Sequence, residues 1–275
     1  MKVHALKGVA CMALAGQELK IEPPGRETMA IELKWLGFDF GQCMMDPAGL
    51  RNHLVIGDVC KEMGEPDRID ERIHKYRVLR EKYGSYSVIK EGHRDEIMSY
   101  VFDNKEEAKE IFAKKEQEHL LMGKGLQETL HFLKEAGIHL SVVAELKKTL
   151  GPMGTDIVTR FLKNKDLLKY FEEMVTPQGK IDLRDGSIDL KYKGKTKEEG
   201  TLYDELAKDL QSQGIDPSAG AMVGDKLSTD ISPAKKRGFR TIQYIGYIDY
   251  GRSTDVDFVI SDFRELRDIL GEKKA

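Results

Sequence analysis

The stretch Ala221–Ile242, AMVGDKLSTDISPAKKRGFRTI, indicates the fold of the chain. It opens with a short apolar strand that ends in Gly224-Asp225. A helix over 229–237 follows, terminated by Gly238, and a β-branched strand begins at 241. A strand, a helix and a second strand in close succession form a βαβ unit, which belongs to a parallel sheet. The stretch therefore predicts an α/β protein.

The same alternation continues on both sides of this stretch. Apolar runs predict further strands at 31–38, 138–143, 170–176 and 257–260. Amphipathic runs predict helices at 125–136, 156–163, 201–213 and 262–270. Between them, residues 180–192 alternate around Arg184-Asp185-Gly186, which is typical of a β-hairpin with Asp-Gly at the turn.

The segment 47–119 departs from this rhythm. It is highly charged and almost wholly helical in pattern, as at 69–76 and 105–115, and it contains no convincing buried strand. It is therefore predicted to be a helical domain inserted after the first strand. The resulting domains are an N-terminal extension at 1–30, a core formed by 31–46 and 120–275, and the insert at 47–119.

Composition excludes several classes of protein. The 275 residues carry 44 Lys and Arg against 47 Asp and Glu, so no strongly basic face is expected and nucleic acid is not an expected partner. Mean hydropathy is −0.47 and no apolar run approaches the length of a membrane span. Cys11, Cys43 and Cys60 have no paired spacing, which favours reduced thiols in a cytoplasmic protein. The apolar stretch 8–15 is too short for a convincing signal peptide.

Carboxylates follow two of the predicted strands. Asp39 comes directly after the first strand, while Asp225 and Asp230 follow the strand at 221–223. Ligands of open parallel sheets bind at the carboxyl ends of the strands, and carboxylate oxygens suit a hard cation such as Mg²⁺. Aspartates are also ordinary helix caps and turn formers. Spacing alone leaves both interpretations open.

The segment Val223–Ile242 resembles the fourth motif of the haloacid dehalogenase (HAD) superfamily. Residues 125–143, 170–176 and 257–263 are similar to further segments of that family, in the same order. The resemblance extends from about residue 33 to the end of the chain. It implies a Rossmann-like three-layer core with a parallel sheet, and an α-helical cap of the first class at 47–119.

The resemblance also implies roles for individual residues. Asp39 stands in the place of the aspartate that attacks phosphorus, and Mg²⁺ would be held by Asp39, the backbone carbonyl of Gly41, Asp225 and Asp230. The family's motif-three lysine falls at Lys193, Lys195 or Lys197. Lys197 is favoured because Leu202 and Tyr203 then occupy the apolar helix positions that follow it.

Two of the family's motifs are degenerate in this chain. Gly41 replaces a second aspartate that serves as the general acid, and Gln42-Cys43 replaces the usual Gly-Thr. Ala144 stands where a phosphate-binding hydroxyl is expected, since Ser141 falls too early, inside the strand. The expected substrate-binding positions are thus Gln42, Cys43, Ala144 and Glu145. Three residues could rebuild the acid site: Gln42, which could orient water, Glu145, which directly follows the motif-two strand, and His53 of the cap, which could serve as the acid.

The function favoured by these residues is Mg²⁺-dependent hydrolysis of a small phosphorylated metabolite. Asp225 argues against a dehalogenase, because that branch generally uses no metal. Gly41 agrees with phosphonoacetaldehyde hydrolases, but 47–120 lacks the pattern around their Schiff-base lysine. The altered positions leave a second hypothesis open, a non-catalytic protein that binds a ligand or a protein partner. Oligomeric state is not predicted.

Overall fold

The computed structural model describes residues 31–46, 51–84, 89, 92–146, 150 and 152–271. An eight-stranded sheet forms its centre, in the order β10-β9-β8-β1-β4-β5-β6-β7. The strands from β10 to β5 pair in parallel, whereas β6 and β7 pair antiparallel at one edge. A separate two-stranded antiparallel sheet joins β2 to β3.

The strands are short and follow the predicted apolar runs. Their bounds are Trp35–Phe38 (β1), Met45–Asp46 (β2), Leu121–Met122 (β3), His139–Val143 (β4), Glu173–Thr176 (β5), Gly179–Asp182 (β6), Ile188–Asp189 (β7), Gly220–Gly224 (β8), Arg240–Tyr244 (β9) and Phe258–Ile260 (β10). The α-helices of four residues or more are Asn52–Glu62, Ile69–Tyr83, Glu106–Glu118, Leu126–Glu135, Ile157–Asn164, Thr201–Ser212, Ser232–Lys235 and Glu265–Leu270.

Helices cover the main sheet on both faces. On one face, Leu36 and Val223 belong to a hydrophobic cluster that also includes side chains of the helices at 126–135 and 157–164. On the other face, Trp35 and Met222 pack with the helix at 201–212. Alternate residues of a strand point to opposite faces, so one strand contributes to both clusters. The predicted α/β fold, with three layers around a largely parallel sheet, is confirmed.

The helices between residues 52 and 118 have a hydrophobic cluster of their own. Its buried members, from Val55 to Phe112, all come from this segment. β2 and β3, which lie on either side of this segment in the sequence, pair with each other. The assignment of 47–119 as a cap domain stays a prediction.

The structure differs from the sequence-based expectation at several elements. β1 starts at Trp35 rather than at residue 31. The helix expected at 229–237 begins earlier, as a π-helical turn at Leu227–Ile231, and continues as the helix Ser232–Lys235. Pro233 lies in the first turn of that helix, where a residue without a backbone N–H is tolerated. The hairpin at 180–192 lengthens the main sheet, since β6 pairs with β5, so the sheet is mixed rather than wholly parallel.

Some expectations fall on residues outside the described ranges. These are the extension at 1–30, with its apolar stretch and Cys11, and the first residues of the cap, 47–50. Within the described ranges, Cys43 and Cys60 are buried free cysteines. None of the described helices is long and apolar enough to cross a membrane.

Candidate active site

Two neighbouring strands bring the first two carboxylates together. β1 and β8 run in parallel with Phe38 opposite Val223, so both end at the same edge of the sheet. The backbone N–H of Asp39 donates to the carbonyl of Val223 at 2.8 Å, which extends the pairing by one residue. Asp39 and Asp225 therefore follow adjacent strand ends, as the sequence predicts.

The third carboxylate, that of Asp230, reaches the same point from the π-helical turn. A Cβ atom at Gly224 would lie 2.4 Å from the Cβ of Asp230, so only glycine permits this close approach. The backbone N–H of Lys226 donates to Oδ2 of Asp230 at 3.0 Å and fixes its orientation. Asp39, Asp225 and Asp230 each offer an oxygen, and these atoms lie within 4.8 Å of one another.

Lys197 lies among these carboxylates. Its Nζ donates to Oδ1 of Asp39 at 2.6 Å and to the carbonyl of Val143 at 3.1 Å, and it also forms an ion pair with Asp230. Of the three candidate lysines, Lys195 instead pairs with Glu205 at 3.0 Å. The register favoured from the sequence is thus the one that brings a lysine to Asp39, and Leu202 and Tyr203 are buried as that register requires.

Burial and like charges shift the pKa values of this cluster. Burial, followed by the charge of Asp230, raises the pKa of Asp39 to about 6 against the opposing effect of Lys197. Burial, and then the charges of Asp39 and Asp230, raise the pKa of Asp225 to about 7. Burial acts to lower the pKa of Lys197, but Asp230 and Asp39 outweigh it and hold that pKa well above its usual value. Lys197 is therefore a permanent cation at neutral pH.

The carboxylate of Asp225 has the least satisfied surroundings. The residue is 1% exposed, and neither of its oxygens has a hydrogen-bond partner within the described residues. A buried carboxylate without partners costs several kcal/mol, so such groups normally bind a cation or remain protonated. Three converging carboxylates are the donor set of a hard divalent cation, and these residues fit Mg²⁺.

A small cleft of about 220 Å³ opens beside Asp39. Four residues predicted from the sequence line it, namely Asp39, Gly41, Ala144 and Glu145. Glu145 is half-buried, and one of its oxygens accepts a hydrogen bond from the backbone N–H of Lys197 at 3.3 Å. The cleft thus joins the expected nucleophile to a second carboxylate.

The structure places two other predicted residues elsewhere. Cys43 is completely buried in the core, and its thiol donates weakly to the carbonyl of Val223 at 3.8 Å, so its side chain does not line the cleft. Burial, followed by the charge of Asp39, raises the pKa of this thiol well above its usual value. Gln42 has a left-handed backbone with φ of 63°, and its side-chain oxygen accepts from the hydroxyl of Tyr250 at 3.3 Å.

Two further residues weighed from the sequence are also accounted for. Ser141 lies inside β4, where its hydroxyl accepts from the Trp35 indole at 2.8 Å and donates to Glu173 at 3.2 Å. It is therefore too early to reach the cleft, as expected. His53 is exposed on the helix Asn52–Glu62 and does not line the cleft.

Sequence reasoning missed part of the lining. Lys226 lines the cleft beside Asp39, and its place directly after Asp225 was a signal for it. The apolar lining gave no such signal, because its members are ordinary core-type residues: Phe40, Leu146, Ile157 and Val158. The helix that carries the last two has its first N–H groups capped by its own Asp156.

Part of the site lies in a segment that is similar to a known protein family. Residues 196–246, which include Lys197, Asp225 and Asp230, match a family model described as HAD-hydrolase-like. A HAD phosphatase from Thermococcus onnurineus is similar in structure, with 21% identity and a TM-score of 0.51, over 88% of this chain and 100% of that chain. We found no significant match among curated proteins.

Other similar structures are more distant. A HAD-superfamily hydrolase of subfamily IA from Geobacter sulfurreducens is 19% identical, with a TM-score of 0.49 over 87% of this chain and 97% of that chain. A 2-haloacid dehalogenase from Pseudomonas syringae is also 19% identical, with a TM-score of 0.45 over 86% and 98%. At these identities and TM-scores, neither likeness carries an argument about the activity of this chain.

Proposed function

We propose that this chain is a magnesium-dependent phosphohydrolase acting on a small phosphorylated metabolite, because its fold is similar to that of a HAD phosphatase and its segment 196–246 matches a HAD-hydrolase-like family model. One observation carries the proposal: the buried, unpartnered carboxylate of Asp225 lies beside Asp39 and Asp230, with Lys197 as their counter-ion. Keeping these charges buried costs free energy that a bound cation and substrate would offset.

Asp39 is the nucleophile in this mechanism. Its carboxylate attacks phosphorus and forms an aspartyl phosphate, which water then hydrolyses to regenerate the enzyme. Lys197 donates to Oδ1 of Asp39, which orients the carboxylate and opposes the negative charge that accumulates in the transition state. At neutral pH and above, a pKa of about 6 leaves most of Asp39 ionised and able to attack.

Asp39, Asp225, Asp230 and the backbone carbonyl of Gly41 would hold the Mg²⁺ ion. When bound, the cation supplies charge neutralisation for the carboxylates and for the phosphoryl oxygens. Asp230 supports this arrangement indirectly, since it binds both the backbone of Lys226 and the side chain of Lys197. Lys226 is exposed at the rim of the cleft, where its charge attracts an anionic substrate.

A second candidate function is a non-catalytic HAD-like module. Gly41 and Ala144 both line the cleft, and both lack the side-chain oxygen that the family places there. Loss of two such groups in one phosphate pocket is the observation that favours this alternative. A module of this kind would still bind a cation through its acidic cluster but would not turn over phosphate esters.

The test is a phosphatase assay with Mg²⁺ over a panel of phosphorylated metabolites, comparing the wild type with Asp39→Asn. We expect turnover by the wild type, a loss of at least about 10³-fold in Asp39→Asn, and an acid-stable phosphorylated protein only when Asp39 is present. Asp185→Asn, on the exposed turn of the hairpin, is the matched control and should retain full activity.

Two results would contradict the proposal. Turnover that survives Asp39→Asn would exclude the aspartyl nucleophile. The absence of turnover with every substrate, while calorimetry still detects Mg²⁺ binding that Asp225→Asn abolishes, would identify the chain as the binding module.

A further inference from the structure

We propose that Glu145 is the general acid and base of this site and replaces the carboxylate that is missing at Gly41. The inference rests on the proposed function, because it names a residue for the same reaction. Without such a group the leaving oxygen would depart as an alkoxide, and acid–base assistance is worth about 10²–10⁴ in rate. The site therefore needs a proton donor that Gly41 cannot supply.

The structure separates the three residues that the sequence offered for this role. His53 is exposed on a cap helix and does not line the cleft. Gln42 does not line it either; its side-chain oxygen accepts from Tyr250, and an amide does not exchange protons at neutral pH. Glu145 alone of the three lines the same cleft as Asp39.

The surroundings of Glu145 leave it free to exchange a proton. Its carboxylate accepts a single hydrogen bond within the described residues, at 3.3 Å from the backbone N–H of Lys197, and it has no ion pair there. The side-chain Nζ of the same lysine donates to Asp39. Lys197 thus contacts Glu145 through its backbone and Asp39 through its side chain. Glu145 is half-buried at the open cleft, where both substrate and water have access.

Glu145 gives up a proton in the first chemical step and takes one back in the second. In the first, Asp39 forms a bond to phosphorus, the bond from phosphorus to the leaving oxygen breaks, and the protonated Glu145 gives its proton to that oxygen. In the second, the Glu145 carboxylate takes a proton from water, the resulting hydroxide attacks phosphorus, and the carboxylate of Asp39 is released. Each turnover returns Glu145 to its protonated form.

The decisive experiment varies the leaving group. p-Nitrophenolate departs without a proton, whereas an alkoxide needs one, so Glu145→Gln should affect the two substrates unequally. We expect kcat/KM to fall by at least about 100-fold for an alkyl phosphate and by less than about fivefold for p-nitrophenyl phosphate. The control is Glu198→Gln, an exposed carboxylate beside Lys197, which should leave both values unchanged.

A second variant tests whether Glu145 stands in for the missing carboxylate. A Cβ atom at Gly41 would meet nothing within 4 Å, and this glycine is outside the left-handed region, so an aspartate can be placed there without strain. Gly41→Asp combined with Glu145→Gln should recover at least about tenfold of the lost kcat/KM for the alkyl phosphate. Thermal unfolding of each variant shows whether its fold is retained.

Failure of this inference differs from failure of the proposed function. An equal fall for both substrates, or no fall for either, in a wild type that forms the aspartyl phosphate would overturn the role of Glu145 alone. A wild type that turns over neither substrate and forms no phosphorylated protein would overturn the proposed function, and the role of Glu145 with it.

Discussion

Two adjacent parts of the site differ in the number of charged side chains that they contain. The acidic floor, formed by Asp39, Asp225, Asp230 and Lys197, is almost completely buried and carries four ionisable side chains in mutual contact or close approach. The motif-one turn, Gly41-Gln42-Cys43, directly follows Asp39 and carries no ionisable carboxylate. The floor holds buried charges that cost free energy, whereas the turn holds only neutral side chains.

The contrast teaches where this chain is constrained. In the acidic floor each side chain contacts or repels the others, so the loss of one leaves a buried charge without compensation. In the motif-one turn, Gly41 faces open space, so a side chain there would meet no neighbour within 4 Å, and Cys43 packs into the core as a neutral thiol. Position 41 should therefore tolerate substitution better than any position of the acidic floor.

The largest effect is expected from removing the positive charge of Lys197 from the acidic floor. Lys197→Met leaves Asp39 and Asp230 buried without their counter-ion, which should lower the free energy of unfolding by about 3–5 kcal/mol at pH 8. Urea unfolding in the presence of EDTA measures the change. The proposed phosphatase activity should be lost as well, since Lys197 Nζ donates to Asp39, the proposed nucleophile.

The matched control is Lys195→Met, two residues away. Lys195 pairs with Glu205 and its side chain is 32% exposed, so its loss should cost less than about 1 kcal/mol. Asp230→Asn in the Lys197→Met background should recover part of the stability by removing one of the stranded charges. Equal costs for the two lysine variants would mean that the floor is not a coupled charge cluster.

The second effect concerns Asp225 and has a defined pH dependence. The folded protein holds the proton of Asp225 more tightly than the unfolded chain does, because its pKa rises from 3.8 to about 7. Stability of the metal-free protein therefore falls as pH rises from about 4 to about 7, and the loss persists above that range. Asp225→Asn carries no charge and escapes this loss. The rise in pKa corresponds to about 4 kcal/mol. The buried amide of Asn, which also lacks partners, gives back part of this, so we expect the variant to be more stable than the wild type by about 2 kcal/mol at pH 8, with no advantage at pH 4.

Thermal and urea unfolding across this pH range, with and without Mg²⁺, test the expectation. Saturating Mg²⁺ should stabilise the wild type and remove the advantage of Asp225→Asn. The control Asp70→Asn, exposed at the start of the helix Ile69–Tyr83, should show neither effect. A variant less stable than the metal-free wild type at pH 8 would show that Asp225 is satisfied in a way other than by a cation.

Much of the fold was predictable because its signals are local. Apolar runs bounded by glycine and amphipathic helices marked nearly every element of the core, and the predicted parallel order followed from their alternation. The attachment of the hairpin to the sheet was missed, because Pro177 was interpreted as the end of a strand and not as part of a turn between two paired strands. β5 and β6 pair across that turn, with Thr176 opposite Gly179.

Within the site, backbone placement was predictable and side-chain direction was not. Asp39 and Asp225 were expected to meet because they follow parallel strands, and Lys197 was favoured through the helix register behind it. Cys43 was expected in the substrate pocket, yet its side chain points into the core. The left-handed backbone at Gln42, which decides how the turn presents its side chains, has no signature in the sequence when the residue is glutamine.

The smallest effect is expected from substitutions that change the motif-one turn and leave the acidic floor intact. A φ of 63° costs a residue with a Cβ atom about 1–2 kcal/mol, a cost that glycine avoids. Glycine loses more conformational entropy on folding, however, which offsets part of that advantage. Gln42→Gly should therefore be more stable than Gln42→Ala by about 1 kcal/mol, with kcat unchanged in both. Tyr250→Phe removes the hydrogen bond to Gln42 separately and should cost no more than about 0.5 kcal/mol, since Tyr250 is exposed.

If instead Gln42→Gly and Gln42→Ala prove equally unstable, the glutamine side chain itself holds the turn, and its contact with Tyr250 must be stronger than its 3.3 Å length indicates. With the expected result, the turn keeps a conformation suited to glycine although position 42 carries glutamine, because the strand before it and Cys43 after it are both fixed in the core. The backbone next to Asp39 is thus set by the fold, and the residue at position 42 is free to change at a cost of about 1 kcal/mol.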